Sequence, residues 1–94
     1  MFQKIKMGNN VALGVNFELP NANLIAVRAK KGYVMCGYLS METANRLGDV
    51  AVKVKGVKDF EGLLKAKVVE VSEKAKENGI KEGITGKEAL GLMF

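Results

Sequence analysis

LPNANLIAVRAKKGYVMCGYLS, residues 19–40, decides how this chain folds. It holds the only proline, the only cysteine and both tyrosines of 94 residues. Proline cannot donate to a β-ladder and asparagine favours turns, so Pro20-Asn21 ends one strand before the next begins. Leu24–Lys30 and Tyr33–Leu39 then read as two strands. Lys31-Gly32 falls at the turn between them, where glycine can take positive φ. Side chains alternate along a strand. Ile25, Val27 and Ala29 therefore share one face of the hairpin and Leu24, Ala26 and Arg28 the other. Val34, Cys36 and Tyr38 oppose Tyr33, Met35 and Leu39. Neither strand shows the apolar/polar alternation of a sheet with one wet face. Helices can cover one face, and something else must cover much of the other.

Before this stretch, Phe2–Met7 and Val11–Leu19 read as strands around the Gly8–Asn10 turn, with Gly14 a candidate bulge. Ser40 is an N-cap and Gly48 a stop for a helix over Met41–Leu47, whose Met41, Ala44 and Leu47 recur at helical spacing. Asp49–Lys55 alternates as a strand, with Val50, Val52 and Val54 inward and lysines outward. Asp59 caps a short helix that turns Phe60, Leu63 and Leu64 to the core. The valine-rich Val68–Val71 reads as a strand. Ser72 caps a helix over Glu73–Asn78, stopped by Gly79, with Ile80 placed for a Schellman contact. Thr85 and Glu88 form a capping box that opens a last helix over Gly86–Met93. Strands first and helices afterwards predict an α+β two-layer sandwich. A mostly antiparallel N-terminal sheet would carry the C-terminal helices on one face. One domain spans 1–94, with a β region over about 1–39 and a mixed α/β part over about 40–94.

Composition narrows the chemistry. A chain this short has a thin core, which disulfides, metals or self-association usually supplement. One cysteine allows no internal disulfide, and the absence of histidine argues against a structural zinc site. Self-association is the remaining supplement. The free thiol favours the cytoplasm. No apolar run of membrane-spanning length occurs, and the N-terminus lacks the apolar centre of a signal peptide. Without histidine no Ser-His-Asp or Cys-His arrangement exists within the chain. No metal or cofactor is expected.

Charge is uneven. Residues 1–58 carry nine Lys/Arg against three Asp/Glu, and residues 59–94 carry six against seven. The basic half suits phosphate or nucleic acid, or is a solvated surface that resists aggregation. Cys36 is a candidate nucleophile or redox thiol, or an inert core residue. Asp49 is a candidate general base, or a turn residue. Asn21 and Asn23 can present amides to a ligand or serve their own turn. Arg28, Lys30 and Lys31 form a basic tip able to hold an anion, or only solvated charge. The Gly83–Glu88 stretch fails as a phosphate loop, because residue 81 is lysine and Glu88 stands where Ser/Thr is needed.

Several of these stretches together resemble a known family. They are residues 19–40, Leu47-Gly48-Asp49, the GVKDFEGLL of 56–64 and the GITGKEAL ending at Leu90. The family is the YunC-like domain of unknown function, found in archaea and bacteria, and the resemblance covers nearly the whole chain. It implies a two-layer α/β sandwich and a tetramer formed through the N-terminal β region. It implies no activity and no catalytic residues. The expected protein is thus a cytoplasmic homo-oligomer with a structural, regulatory or ligand-binding role. The alternatives are an enzyme with a subunit-interface site at Cys36, and nucleic-acid or anion binding by the basic half.

Overall fold

The computed structural model describes all 94 residues. Ten elements follow the chain. They are β1 (Phe2–Met7), β2 (Asn10–Glu18), β3 (Asn23–Arg28), β4 (Gly32–Met35), α1 (Met41–Leu47), β5 (Val50–Lys53), α2 (Phe60–Lys65), β6 (Glu70–Val71), α3 (Glu73–Glu77) and α4 (Gly86–Gly91). One six-stranded sheet runs in sequence order from β1 to β6. Every neighbouring pair is antiparallel except β4 and β5, which are parallel and joined through α1. This is an α+β fold with its sheet begun at the N-terminus and its four helices in the C-terminal half.

Alternation divides the sheet into two faces. Ala12, Ile25, Val27, Val34, Val52 and Val54 point to one side, into the main core. Leu63 of α2, Ala75 of α3, and Ala89 and Leu90 of α4 close over them, with Ile80 and Met93. On the other side Met35 and Ala51 meet Met41 and Ala44 of α1. The crossover helix therefore lies opposite the other three. A parallel β4–β5 pair needs such a crossover, and α1 packs an apolar stripe of Met41 and Ala44 onto the face it reaches. Leu47 lies outside that stripe and is exposed.

The caps lie where the sequence puts them. Ser40, Asp59, Ser72 and Thr85 each accept an N–H from the first turn of their helix, and Thr85 with Glu88 completes the capping box. Gly79 has a φ of 80°, and the Ile80 N–H returns to the Ala75 carbonyl at 3.1 Å, as a Schellman motif requires.

Strand ends and two glycines differ from the sequence expectation. β3 stops at Arg28 and β4 at Met35, because Gly37-Tyr38 turns the chain toward α1. Only Glu70–Val71 of the valine-rich stretch pairs as β6, since the Val68 N–H bonds the Ile84 carbonyl instead. Gly14 is no bulge: the ladder runs unbroken through it, opposite Gln3 and Val27. It is glycine because a Cβ there would strike the Phe60 ring and Ile5. Gly32 does not adopt positive φ. It lies within β4, where a Cβ would collide with the Val50 carbonyl. Lys53 is not outward like Lys55. It is buried along its stem and reaches Glu70 at 3.7 Å.

Candidate functional site

Three surface features collect the chemistry-bearing residues. The first is the side of β1–β3 that faces away from the helices. Register puts Phe2, Val15 and Ala26 in one row across it, Phe17 and Leu24 in the next, and Lys4, Leu13 and Arg28 in a third. No helix covers these rows. Phe2 is 74 % exposed, Phe17 and Val11 58 %, and Leu13 39 %. Isolated exposed apolar residues are ordinary, but a contiguous patch rimmed by cations marks a contact surface.

The second feature is a cleft of about 250 Å³ beyond the C-terminal end of β4, lined by Ala22, Asn23, Cys36, Gly37, Tyr38 and Val57. Cys36 is buried and forms no disulfide. Its Sγ accepts the Ile25 N–H at 3.3 Å, and the thiol points toward the Asn23 carbonyl at 3.9 Å. The Asn23 amide donates to the Lys58 carbonyl at 2.9 Å, tying the start of β3 to the loop before α2. Asn21 is exposed in the turn and outside this lining.

The third is a cleft at the opposite end of β4, where Arg28, Lys30, Lys31, Tyr33, Asp49 and Lys74 meet. The Tyr33 hydroxyl donates to Asp49 Oδ2 at 2.7 Å. Burial raises the phenol's pKa to about 12, and the hydrogen bond and charge of Asp49 push the same way. Asp49 is held by its backbone. Its N–H bonds the Ala44 carbonyl, and its carbonyl accepts from Ser72 Oγ at 2.7 Å.

Cys36 and Asp49 thus line different clefts. Within one chain the candidate thiol and carboxylate are not brought together, while Arg28, Lys30 and Lys31 are. Tyr33 and Lys74 were not singled out from sequence. Their signal lies in the parallel pairing of Gly32 with Val50, which sets Tyr33 beside Asp49 and α3 beside both. No three His, Cys, Asp or Glu side chains group as a metal site.

Fold and surface together define a small α+β domain whose helices leave part of its sheet bare. A family model described as a domain of unknown function (DUF1805) matches residues 35–93. The uncharacterised protein YunC of Bacillus subtilis (strain 168) is 39 % identical over 84 residues, covering 85 % of this chain and 83 % of that one. The crystal structure of TA1206, a protein of unknown function from Thermoplasma acidophilum, superposes with a TM-score of 0.95 at 40 % identity. That match covers 100 % of this chain and 92 % of the other. The chain belongs to this YunC-like, DUF1805 family of unknown function.

Proposed function

We propose that the protein works as a homo-oligomer, a tetramer, assembled through its N-terminal β region, with a structural, regulatory or ligand-binding role. The carrying observation is the bare face of β1–β3, with Phe2, Val11 and Phe17 more than half exposed. Covering apolar area is worth about 25 cal/mol per Å². The whole chain exposes 5838 Å², so a standard contact of about 800 Å² per partner hides about a seventh of it. No helix of this chain is available for the task, which makes a second copy the simplest cover.

Two distinct contact modes support four copies over two. The bare face offers one two-fold contact, and the outer edge of β1, the first strand of the sheet, offers another. Two independent two-fold contacts generate a closed tetramer. No helix is long and apolar enough to cross a membrane. The buried free thiol of Cys36 supports a reducing setting, the cytoplasm.

Light scattering behind a sizing column tests the proposal. The expected mass is four times the 10.2 kDa of one chain. A single-chain mass at micromolar concentration overturns it.

A further inference from the structure

The cleft at the N-terminal ends of β4 and β5 has a volume of about 250 Å³ and gathers four cations around one carboxylate. Arg28, Lys30 and Lys31 take part in none of the chain's ion pairs. Lys74 has only the exposed Glu77 at 3.7 Å, a contact that water and salt leave weak. Asp49, the single carboxylate, takes its hydrogen bond from a neutral phenol and pairs with no cation. With a pKa of about 12, Tyr33 keeps its proton through the physiological range. The cleft therefore holds a surplus of positive charge that nothing in the chain neutralises.

A solvated lysine tip would not need fixed backbone beneath it, and this cleft has one. Arg28 ends β3. Lys30 and Lys31 lie in a turn closed by the Ala29 N–H on the Gly32 carbonyl at 2.8 Å. The Lys31 N–H bonds the Met93 carbonyl at 2.7 Å. Lys74 enters from α3, whose N-cap Ser72 also clasps the Asp49 carbonyl. Two stretches far apart in sequence, residues 28–31 and Lys74, thus bring charge to one space over a backbone held by hydrogen bonds, which lowers part of the entropic cost of binding.

We propose that this cleft binds a small phosphomonoester that also carries a hydroxyl or amine. The guanidinium of Arg28 can grip two phosphoryl oxygens at once, with Lys30, Lys31 and Lys74 as point charges around them. Asp49 has two carboxylate oxygens. One serves Tyr33, and the other accepts from the hydroxyl or amine of the ligand. Asp49 also disfavours a bare polyphosphate or a DNA backbone, which brings charge without a donor for it. Arg28 also borders the bare face proposed for assembly, whereas Lys30, Lys31, Asp49 and Lys74 come from the β3–β4 turn, the α1–β5 loop and α3, outside it.

Glycerol 3-phosphate, inorganic phosphate and glycerol are suitable probes for the intact native protein, followed by amide NMR shifts. Oligomer mass is recorded in parallel, so that failed assembly is told apart from failed binding. Glycerol 3-phosphate should give saturable shifts at Lys30–Tyr33 and Gly48–Val50, phosphate weaker ones there, and glycerol none. The pair Arg28→Gln and Lys31→Gln should weaken glycerol 3-phosphate binding about tenfold or more, which corresponds to about 1.4 kcal/mol. Lys30→Gln with Lys74→Gln gives a second reading if the first pair disturbs the fold. Asp49→Asn should narrow the preference for glycerol 3-phosphate over phosphate. The proposal is overturned if no probe saturates by about 10 mM, a limit beyond the weakest affinities of interest. It is also overturned if the variants bind like the native chain, or if random RNA binds more tightly with steep salt dependence.

Discussion

β4 and β5 are buried on both faces, whereas β2 and β3 are buried on one and β1 has only Ile5 and Met7 half-buried. Around β4 and β5, Val34 and Val52 pack under α2–α4, and Met35 and Ala51 pack under α1. Around β1–β3, Ala12, Ile25 and Val27 meet the helices while Phe17 and Leu13 face outward. One sheet therefore contains a part covered on both sides by its own helices and a part that is apolar where nothing of its own chain covers it. The difference separates two tasks. Residues 35–93, which the family model matches, supply ten of the fifteen residues of the main core. The N-terminal strands extend that sheet and turn their surplus apolar surface outward.

The sharpest attempt to break this division is Leu63→Ala. Leu63 is fully buried between α2 and the sheet. Its loss should cost about 2–5 kcal/mol of stability in a denaturant melt. A loss no larger than that of a surface change would mean the core lies elsewhere. Gly14→Ala probes the seam between the two parts. The added methyl must displace the Phe60 ring, so about 1–3 kcal/mol should be lost. Wild-type stability in that variant would show that α2 does not grip β2.

The smallest expected effect concerns the Tyr33–Asp49 pair. The folded phenol titrates near 12, above the 10.0 of free tyrosine. Between those values the folded chain keeps a proton that the unfolded chain has lost. Tyr33 therefore stabilises the fold fully below pH 10, and its contribution fades as pH rises toward 12. Tyr33→Phe should lose less stability than the native protein across that interval. Asp49→Asn should bring the ultraviolet tyrosinate transition of Tyr33 down toward 10.0. Unchanged titration would remove Asp49 as a cause.

Local signals were legible in the sequence. Ser40, Asp59, Ser72 and Thr85 declared their helices, because a cap acts within a few residues of itself. Gly79-Ile80 did likewise. The α+β class and the excess apolar surface of the hairpin followed from order and alternation. What could not be read is long-range. Gly14 and Gly32 look like turn or bulge residues until Phe60 and the Val50 carbonyl are brought against them. Ser72 reads as a cap, yet its hydroxyl also accepts the Ala51 N–H and donates to the Asp49 carbonyl. The basic tip was visible as Arg28, Lys30 and Lys31, but Lys74 joins only through the placement of α3. Cys36 and Asp49 each stood out in sequence as a candidate, and β4 runs between them.

In the proposed assembly, other copies of the chain cover the bare face of β1–β3. Sedimentation equilibrium of the native chain beside a Leu13→Glu, Phe17→Glu variant tests it most directly. Both positions are exposed in one chain, so each change should cost the isolated fold no more than about 0.5 kcal/mol. The account predicts a native mass of four chains and a smaller assembly or single chain for the variant, with unaltered helical circular dichroism. A native monomer, or a variant that keeps the full native mass, would contradict it.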